Sequence, residues 1–468
     1  MQADYILQKK TIRKDALSVC MIVKNESANI QRSLQNLNGV ADELVVVDTG
    51  STDSTVETAK EFGAKIICDP WRQDFSWSRN ISLQNATCQW ILWLDADDSV
   101  PIESLDALNK LKKEKPDRVF SFIVRNEHPG NTGTEFFQAR MFPNHPQIRF
   151  ERSIHEQITP SAFRLGMKLE KKNIVIYHHG YSNPVLLKQK AHRNLKMLIK
   201  EYKSIGPDQV MAVEIADSYL LVEDYSNSRI WYDKVLQIAE NSENSSEITA
   251  HAYLGLGNIL NKKEKFNDAI NVLEKAKTLL PSRPDILYSL SVACDCSKRI
   301  PQAIEYLKKI PELNTAVGQV GVDFRMTRIK AYLRLTRILV ENQMYDEAKE
   351  TIKDALGSVA NRPEIHNIAG KYYLKTGKLL DSLHEFEKSL QIRKEGNLDA
   401  YIGLCLIYRI AGKNETAIQT INSISSQFLN NLKFQAFTEY FLHNEKFCLS
   451  DEYESILEDL KRDFFGML

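Results

Sequence analysis

The apolar positions of this chain follow two different periods. From Leu17 to about Tyr181, short apolar runs alternate with amphipathic stretches. Leu17 to Val23 (LSVCMIV), Glu43 to Asp48 (ELVVVD), Ala64 to Cys68, Trp90 to Leu94 (WILWL) and Val119 to Asn126 read as strands. Ser27 to Asn36, Thr52 to Phe62 and Ser76 to Ala86 read as helices, the second capped by Ser51 or Thr52. Strands that are apolar throughout must be covered on both faces, so the pattern predicts an α/β domain built on a mostly parallel sheet. Ligands of such sheets sit at the carboxyl ends of the strands, which directs attention to the polar residues that follow each one.

After about residue 205 the strands stop and a helical repeat takes over. Gly257, Ala269, Ala276 and Pro281 stand at the spacings of a helix-turn-helix unit in which small residues let two helices approach, with Leu256 and Leu273 filling between them. Ala269 recurs as Ala303, 34 residues on, then as Ala348, as Ser382 after 34 more, and as Ala417 after 35. A weaker copy lies around Ala216, Tyr219, Ser228 and Tyr232. This phasing predicts about six tetratricopeptide-like repeats between roughly 207 and 430, an all-α solenoid whose concave face suits an extended peptide or a partner protein. Asn241 to Ser246 (NSENSS) reads as a loop widening the first repeat. The expected organisation is therefore residues 1–185 as the α/β domain, 186–206 as a helical connector and 207–468 as the repeats.

Length and composition add exclusions. A chain of 468 residues is too long for one small module, and 43% hydrophobic with 26% charged residues excludes disorder. Lys+Arg and Asp+Glu are both 61, so there is no overall electrostatic footprint for nucleic acid. The balance conceals a split: residues 1–200 carry 28 basic and 23 acidic side chains and six of the ten histidines, leaving 33 against 38 beyond. The basic first part is suited to meeting an anion. Seven cysteines (Cys20, Cys68, Cys88, Cys294, Cys296, Cys405, Cys448), odd in number and without a CxxC pair, argue against a disulfide framework and for a reducing cytoplasm. Neither a signal-peptide core nor a transmembrane segment is expected, since the apolar runs reach only about seven residues against the roughly 20 of a membrane span.

The chemistry concentrates at the strand ends. Asp95-Ala96-Asp97-Asp98 follows WILWL, and three carboxylates in four residues need a cation or donors to offset their repulsion. A hard divalent ion, Mg²⁺ or Mn²⁺, fits, with one carboxylate on the ion and its neighbour on a sugar or ribose hydroxyl. Val47-Asp48-Thr49-Gly50-Ser51 offers a tight glycine turn and a carboxylate, Asp48, able to accept from a base imino N–H or a ribose; the same run also serves as a helix start. Val23-Lys24-Asn25-Glu26 can hold a base edge through its backbone, with Glu26 ordering the loop. In Trp71 to Asn80 (WRQDFSWSRN), Arg79 near a helix start suits a phosphate, or alternatively an ion pair.

ALSVCMIVKNES, ELVVVDTGSTDST, WRQDFSWSRN and WILWLDADD, in this order and spacing, resemble the nucleotide-sugar glycosyltransferases of family 2, which have the Rossmann-like GT-A fold. Two departures stand out: Asp48 is followed by Thr49 where many members have a second acidic residue, and the usual helix lacks an ED-type base motif. Ala139-Arg140-Met141-Phe142 and Ser153-Ile154-His155-Glu156 resemble a sub-branch that includes lipopolysaccharide-core sugar transferases and bacteriocin peptide S-glycosyltransferases of the sublancin type; the latter are similar also in Asp74-Phe75-Ser76, in Tyr177-His178 before Gly180-Tyr181, and in being joined to tetratricopeptide-like helices.

The resemblance implies inverting transfer of a hexose from a UDP-sugar to a nucleophilic acceptor, with a metal on the leaving diphosphate. Inversion in one displacement needs a base on the acceptor side and charge neutralisation on the other. Glu156 or His155 is the candidate base; Asp97 with the metal, Arg79 and Arg140 neutralise the leaving group, and His178 completes the metal site as a nitrogen ligand. Val23, Lys24, Glu26, Asp48, Asp95 and Ala96 complete the nucleotide-sugar site. The expected acceptor is a Cys, Ser or Thr side chain of a peptide or protein gripped by the repeats, with the oligomeric state left open and a homodimer among the possibilities. The rival readings are a transferase for a lipid-linked or cell-surface glycan, using Lys188 to Lys200 as a membrane-facing helix, and a non-catalytic repeat scaffold with a nucleotide-sensing domain.

Overall fold

The computed structural model of the chain describes residues 12–126, 133–179, 184–240, 246–313, 321–443, 451–464 and 466. Gly180, Tyr181 and most of the NSENSS loop lie outside the described residues. The α/β part runs β1 (Arg13–Val23), α1 (Ser27–Gln35), β2 (Glu43–Asp48), α2 (Thr55–Glu61), β3 (Lys65–Cys68), α3 (Phe75–Asn85), β4 (Cys88–Trp93), β5 (Asp98–Ser99), α4 (Ile102–Leu111), β6 (Arg118–Asn126), β7 (Glu135–Pro143), α5 (Thr159–Arg164) and β8 (Lys168–His178).

All eight strands join one sheet in the order β3-β2-β1-β4-β7-β6-β8-β5. The first four strands pair in parallel, and β6 and β8 pair in parallel with each other. The antiparallel β7 sits between β4 and β6, and β5 runs antiparallel to β8, so the sheet is mixed and its parallel part is the half read from the apolar runs. Alternation along β1 and β4 supplies both faces. Leu17, Val19, Met21, Trp90, Leu92 and Leu94 enter one buried cluster with Ile30 and Leu34 of α1, whereas Cys20, Ile91 and Trp93 enter the other with Leu83 of α3.

One helix start differs from expectation. α2 begins at Thr55, not at Thr52, because the polar side chains before it are used across the loops: Ser51 Oγ accepts from Asn25 N (2.9 Å), Asn25 Oδ1 accepts from Thr52 N (2.7 Å), and Asp53 accepts from Ser27 N (3.1 Å) and Thr55 N (3.1 Å). Gly50, at φ +107, makes the turn that permits this.

Beyond the sheet, α6 (Pro184–Ile205) leads into six helical pairs: α7 (Gln209–Leu221) with α8 (Tyr225–Glu240), α9 (Ser246–Lys262) with α10 (Phe266–Leu279), α11 (Pro284–Cys296) with α12 (Ile300–Lys309), α13 (Phe324–Glu341) with α14 (Tyr345–Val359), α15 (Pro363–Lys375) with α16 (Leu379–Ile392), and α17 (Leu398–Ile410) with α18 (Asn414–Ile424). Two further helices, α19 (Leu432–His443) and α20 (Asp451–Asp463), follow. The recurring small residues Ala269, Ala303, Ala348, Ser382 and Ala417 are all fully buried. A Cβ on Gly257 of α9 would lie 2.4 Å from Leu273 of α10, which explains the glycine by close approach. The two serines that replace alanine donate to the preceding helix, Ser228 to Ala216 O (2.9 Å) and Ser382 to Gly370 O (2.7 Å).

The chain divides into two compact units, Met1–Ser289 with Asn314–Phe324, and Leu290–Leu313 with Arg325–Leu468. The first holds the sheet, α6 and the first two helical pairs, together with the bridge from Glu135 on β7 to Val322. The second has its main core among α15 to α20, around Phe386, Ile402, Phe437 and Phe464.

Candidate active site

The end of β4 and the short β5 bring the acidic run against β8. Pairing of Asp98 with His178 sets the register, and the side chains of Asp95, Asp97, Asp98 and His178 present ligand atoms within 4.8 Å of one another. Asp98, fully buried, is the pivot: it accepts from Arg140 Nη1 (2.8 Å) and from the Asp95 backbone N–H (2.8 Å), and its other oxygen lies 2.9 Å from His178 Nδ1. Asp98 thereby orients the His178 ring, as a carboxylate commonly does for a histidine ligand, and the same Nδ1 lies 3.4 Å from Asp97. His179, its neighbour, turns instead to Ser99 Oγ at 2.9 Å.

The electrostatics separate the three carboxylates. Burial raises the Asp97 carboxyl; the His178 charge lowers it, but Asp95 and Asp98 add to the burial and the result is about 6. Burial alone would lower His178, yet the hydrogen bond and charge of Asp98, with Asp97 and Asp95, lift it to about 9. Asp95 is half-buried, which would raise it, yet Arg79 and Arg140 hold it below the usual carboxylate range. Asp97 is thus the carboxylate with least compensation, and three carboxylates with one imidazole form a hard donor set of the kind that Mg²⁺ or Mn²⁺ takes. The residues fit such an ion.

Neither arginine expected at the leaving group lines the cavity. Arg79, 5% exposed, donates from Nη2 to Asp95 (2.6 Å) and from Nε to Glu156, with its guanidinium 4.2 Å from the Trp93 ring centre. Arg140, 2% exposed, lies 3.8 Å above the same ring and serves Asp98. Both hold the acidic run from beneath. Glu156, one of the two candidate bases, has its carboxylate taken up by Arg79. Asp48 likewise turns inward, accepting from Gly50 N (3.2 Å) and Ser51 N (3.1 Å).

A cavity of about 830 Å³ opens over this cluster. Val23, Lys24, Glu26, Asp95, Ala96, Asp97, His155 and His178 line it, as do Ile22 and Thr49 and the edge-to-face pair Trp71 and Phe75, whose ring centres are 4.6 Å apart. Its remaining lining comes from the helices: Ala191, Arg193 and Asn194 of α6 and Glu214, Asp217, Ser218 and Leu221 of α7. Arg193 lies 5.6 Å from the Phe75 ring centre. These helical residues did not stand out in the sequence. Their signal is a spacing of three, four and seven from Glu214, which puts them on one face of α7 while Met211 and Ile215 are buried on another.

Two patterns match the chain: glycosyl transferase family 2 over residues 18–180 and tetratricopeptide repeat over residues 209–282. The SPbeta prophage-derived glycosyltransferase SunS of Bacillus subtilis is 26% identical over 385 residues, covering 79% of this chain and 85% of that one. An uncharacterized glycosyltransferase of Rickettsia felis is 32% identical over 210 residues, 41% of this chain and 73% of the relative. A TPR repeat-containing protein of Synechococcus elongatus is 30% identical over 228 residues, 47% of this chain; the match spans 56% of that relative's length.

Proposed function

The chain belongs to glycosyl transferase family 2, and from that premise we propose that it moves a hexose from a UDP-sugar, with inversion, to a Cys, Ser or Thr side chain of a peptide or protein. The observation that carries the reading is the double lining of one cavity: an acidic run comes from the sheet, and polar residues come from the first repeat helix. Donor and polypeptide acceptor would meet between them. Asp97 and His178 would hold Mg²⁺ or Mn²⁺, which when bound neutralises the diphosphate of the leaving UDP. Val23, Lys24, Glu26, Asp95 and Ala96 border the space for the nucleotide sugar, and Asp48 shapes the loop beside it. Arg79 and Arg140 act by positioning Asp95 and Asp98.

Among the described residues no helix is long and apolar enough to cross a membrane. The test is to incubate the protein with a panel of UDP-sugars and Mn²⁺, with and without candidate acceptor peptides, and to weigh the products. A peptide heavier by one hexose, formed only with metal, is the expected result; sugar transfer to lipid-linked glycans but to no peptide would overturn the acceptor class.

A further inference from the structure

Resting on that reading, we propose that His155 is the base that takes the acceptor's proton and that Glu214, on the first repeat helix, is its positioning residue. The repeat array then completes the active site as well as gripping the acceptor.

His155 sits in a short loop closed by the pairing of Glu151 with Gln157 (2.9 and 3.0 Å). Two residues of the loop, Arg152 at φ +78 and His155 at φ +51, are left-handed, a strained geometry that side chains rarely adopt and that must be held by its surroundings. The holding contacts come from the helices. Ile154, 2% exposed, packs among Leu195, Leu198, Met211 and Ile215. The Ser153 N–H and hydroxyl donate to Glu201 of α6, the hydroxyl at 2.7 Å. Arg152 Nη2 donates to one Glu214 oxygen (2.7 Å), and the other faces His155 Nδ1 at 3.3 Å.

The chemistry follows from that pairing. A carboxylate on Nδ1 fixes the tautomer with its lone pair on Nε2, the arrangement of a general base. The His155 side chain is 42% exposed and borders the same cavity as Asp97 and His178, whereas Glu156 is 10% exposed and engaged by Arg79. Nε2 accepts the proton of the acceptor O–H or S–H as that oxygen or sulfur bonds to the anomeric carbon. The bond from that carbon to the diphosphate oxygen breaks, and UDP leaves with the electron pair. Glu214 stays ionised and stabilises the imidazolium. Burial, its largest influence, raises the Glu214 carboxyl above the usual range against the opposing charges of His155 and Arg152, making it a stronger acceptor than an exposed carboxylate. The other charged groups facing this pair are Asp217 on α7 and Asp208 at its start.

The test compares His155→Ala, Glu214→Gln, Glu214→Asp and Glu156→Gln in the full chain. His155→Ala should lower kcat for transfer by about 100-fold or more, leave UDP-sugar affinity unchanged by calorimetry, and be partly rescued by added imidazole. Glu214→Gln should lower kcat by about tenfold at unchanged acceptor KM and move the acid limb of the kcat/KM profile to lower pH, because the imidazolium loses its carboxylate; Glu214→Asp should recover part of both. NMR titration of the His155 ring should show the same downward movement in Glu214→Gln. A raised acceptor KM with unchanged kcat and an unmoved limb would reduce Glu214 to acceptor binding. A larger loss in Glu156→Gln than in His155→Ala, without imidazole rescue, would overturn the base assignment. If the wild-type chain transfers the sugar to water or a glycan and His155→Ala abolishes that, the pair stands and the polypeptide acceptor falls.

Discussion

At the carboxyl ends of the strands the fold brings elements together around charge; in the helical pairs it brings them together around volume. The acidic run is surrounded by Arg79, Arg140 and His178, with Trp93 under both guanidinium groups, and each partner answers a carboxylate. Between α9 and α10, or α15 and α16, a glycine faces a large side chain, Gly257 against Leu273 and Gly370 against Phe386, and what matters is that the glycine leaves room for it. Charge compensation can be left incomplete, and at Asp97 it is, which is where the proposed cation would enter. Volume complementarity leaves no such opening. The first region therefore carries chemistry and the second carries shape.

Substitutions should separate the two. Asp97→Ala removes the least compensated carboxylate, and metal-dependent turnover should fall by about 10³-fold or more with an unaltered far-ultraviolet circular dichroism spectrum; normal turnover would break the assignment. Asp98→Ala leaves the buried Arg140 and His178 without their shared partner and should cost about 3–5 kcal/mol in denaturant unfolding of the sheet-bearing unit. Metal affinity should rise with pH. Below about 9 the free protein holds a proton on His178, and below about 6 another on Asp97, both of which the ion must displace. Affinity should thus gain about tenfold per pH unit between 6 and 9, more steeply below, and level off above; a flat calorimetric profile would exclude these ligands. In the repeats, Gly257→Ala forces a methyl against Leu273 and should cost about 1–3 kcal/mol with metal affinity unchanged. Ser382→Ala, which loses one hydrogen bond but restores the residue found elsewhere in the series, should shift stability by about 1 kcal/mol or less.

The parallel strands were legible because each is apolar along its whole length, and the repeats because small residues recur at a fixed interval. β7 was not read as a strand: Glu135 to Gln138 are only half-buried, and the chain's most deeply buried arginine, Arg140, lies in its inward half. The acidic run was legible as a site since three adjacent carboxylates are costly anywhere. The direction of the arginines was not, because reach along the sequence does not say on which side of a strand a guanidinium will be answered. Glu214 and Asp217 read as ordinary polar positions of a helical repeat. The packing of Ile154 against α6 and α7, with the Arg152–Glu214 and Ser153–Glu201 contacts, brings that helix face to the strand ends.

That dependence has a consequence for the order in which the molecule is made. The strand bearing His178 is complete 36 positions before Glu214 is added. At about 5–20 residues per second, a growing chain spends a few seconds with its strands complete and His155 without Glu214. A translation product that stops short of α7 would carry the acidic run and lack the carboxylate that faces His155. On the proposed roles, full transfer activity would arrive only with the helix that also borders the space proposed for the acceptor.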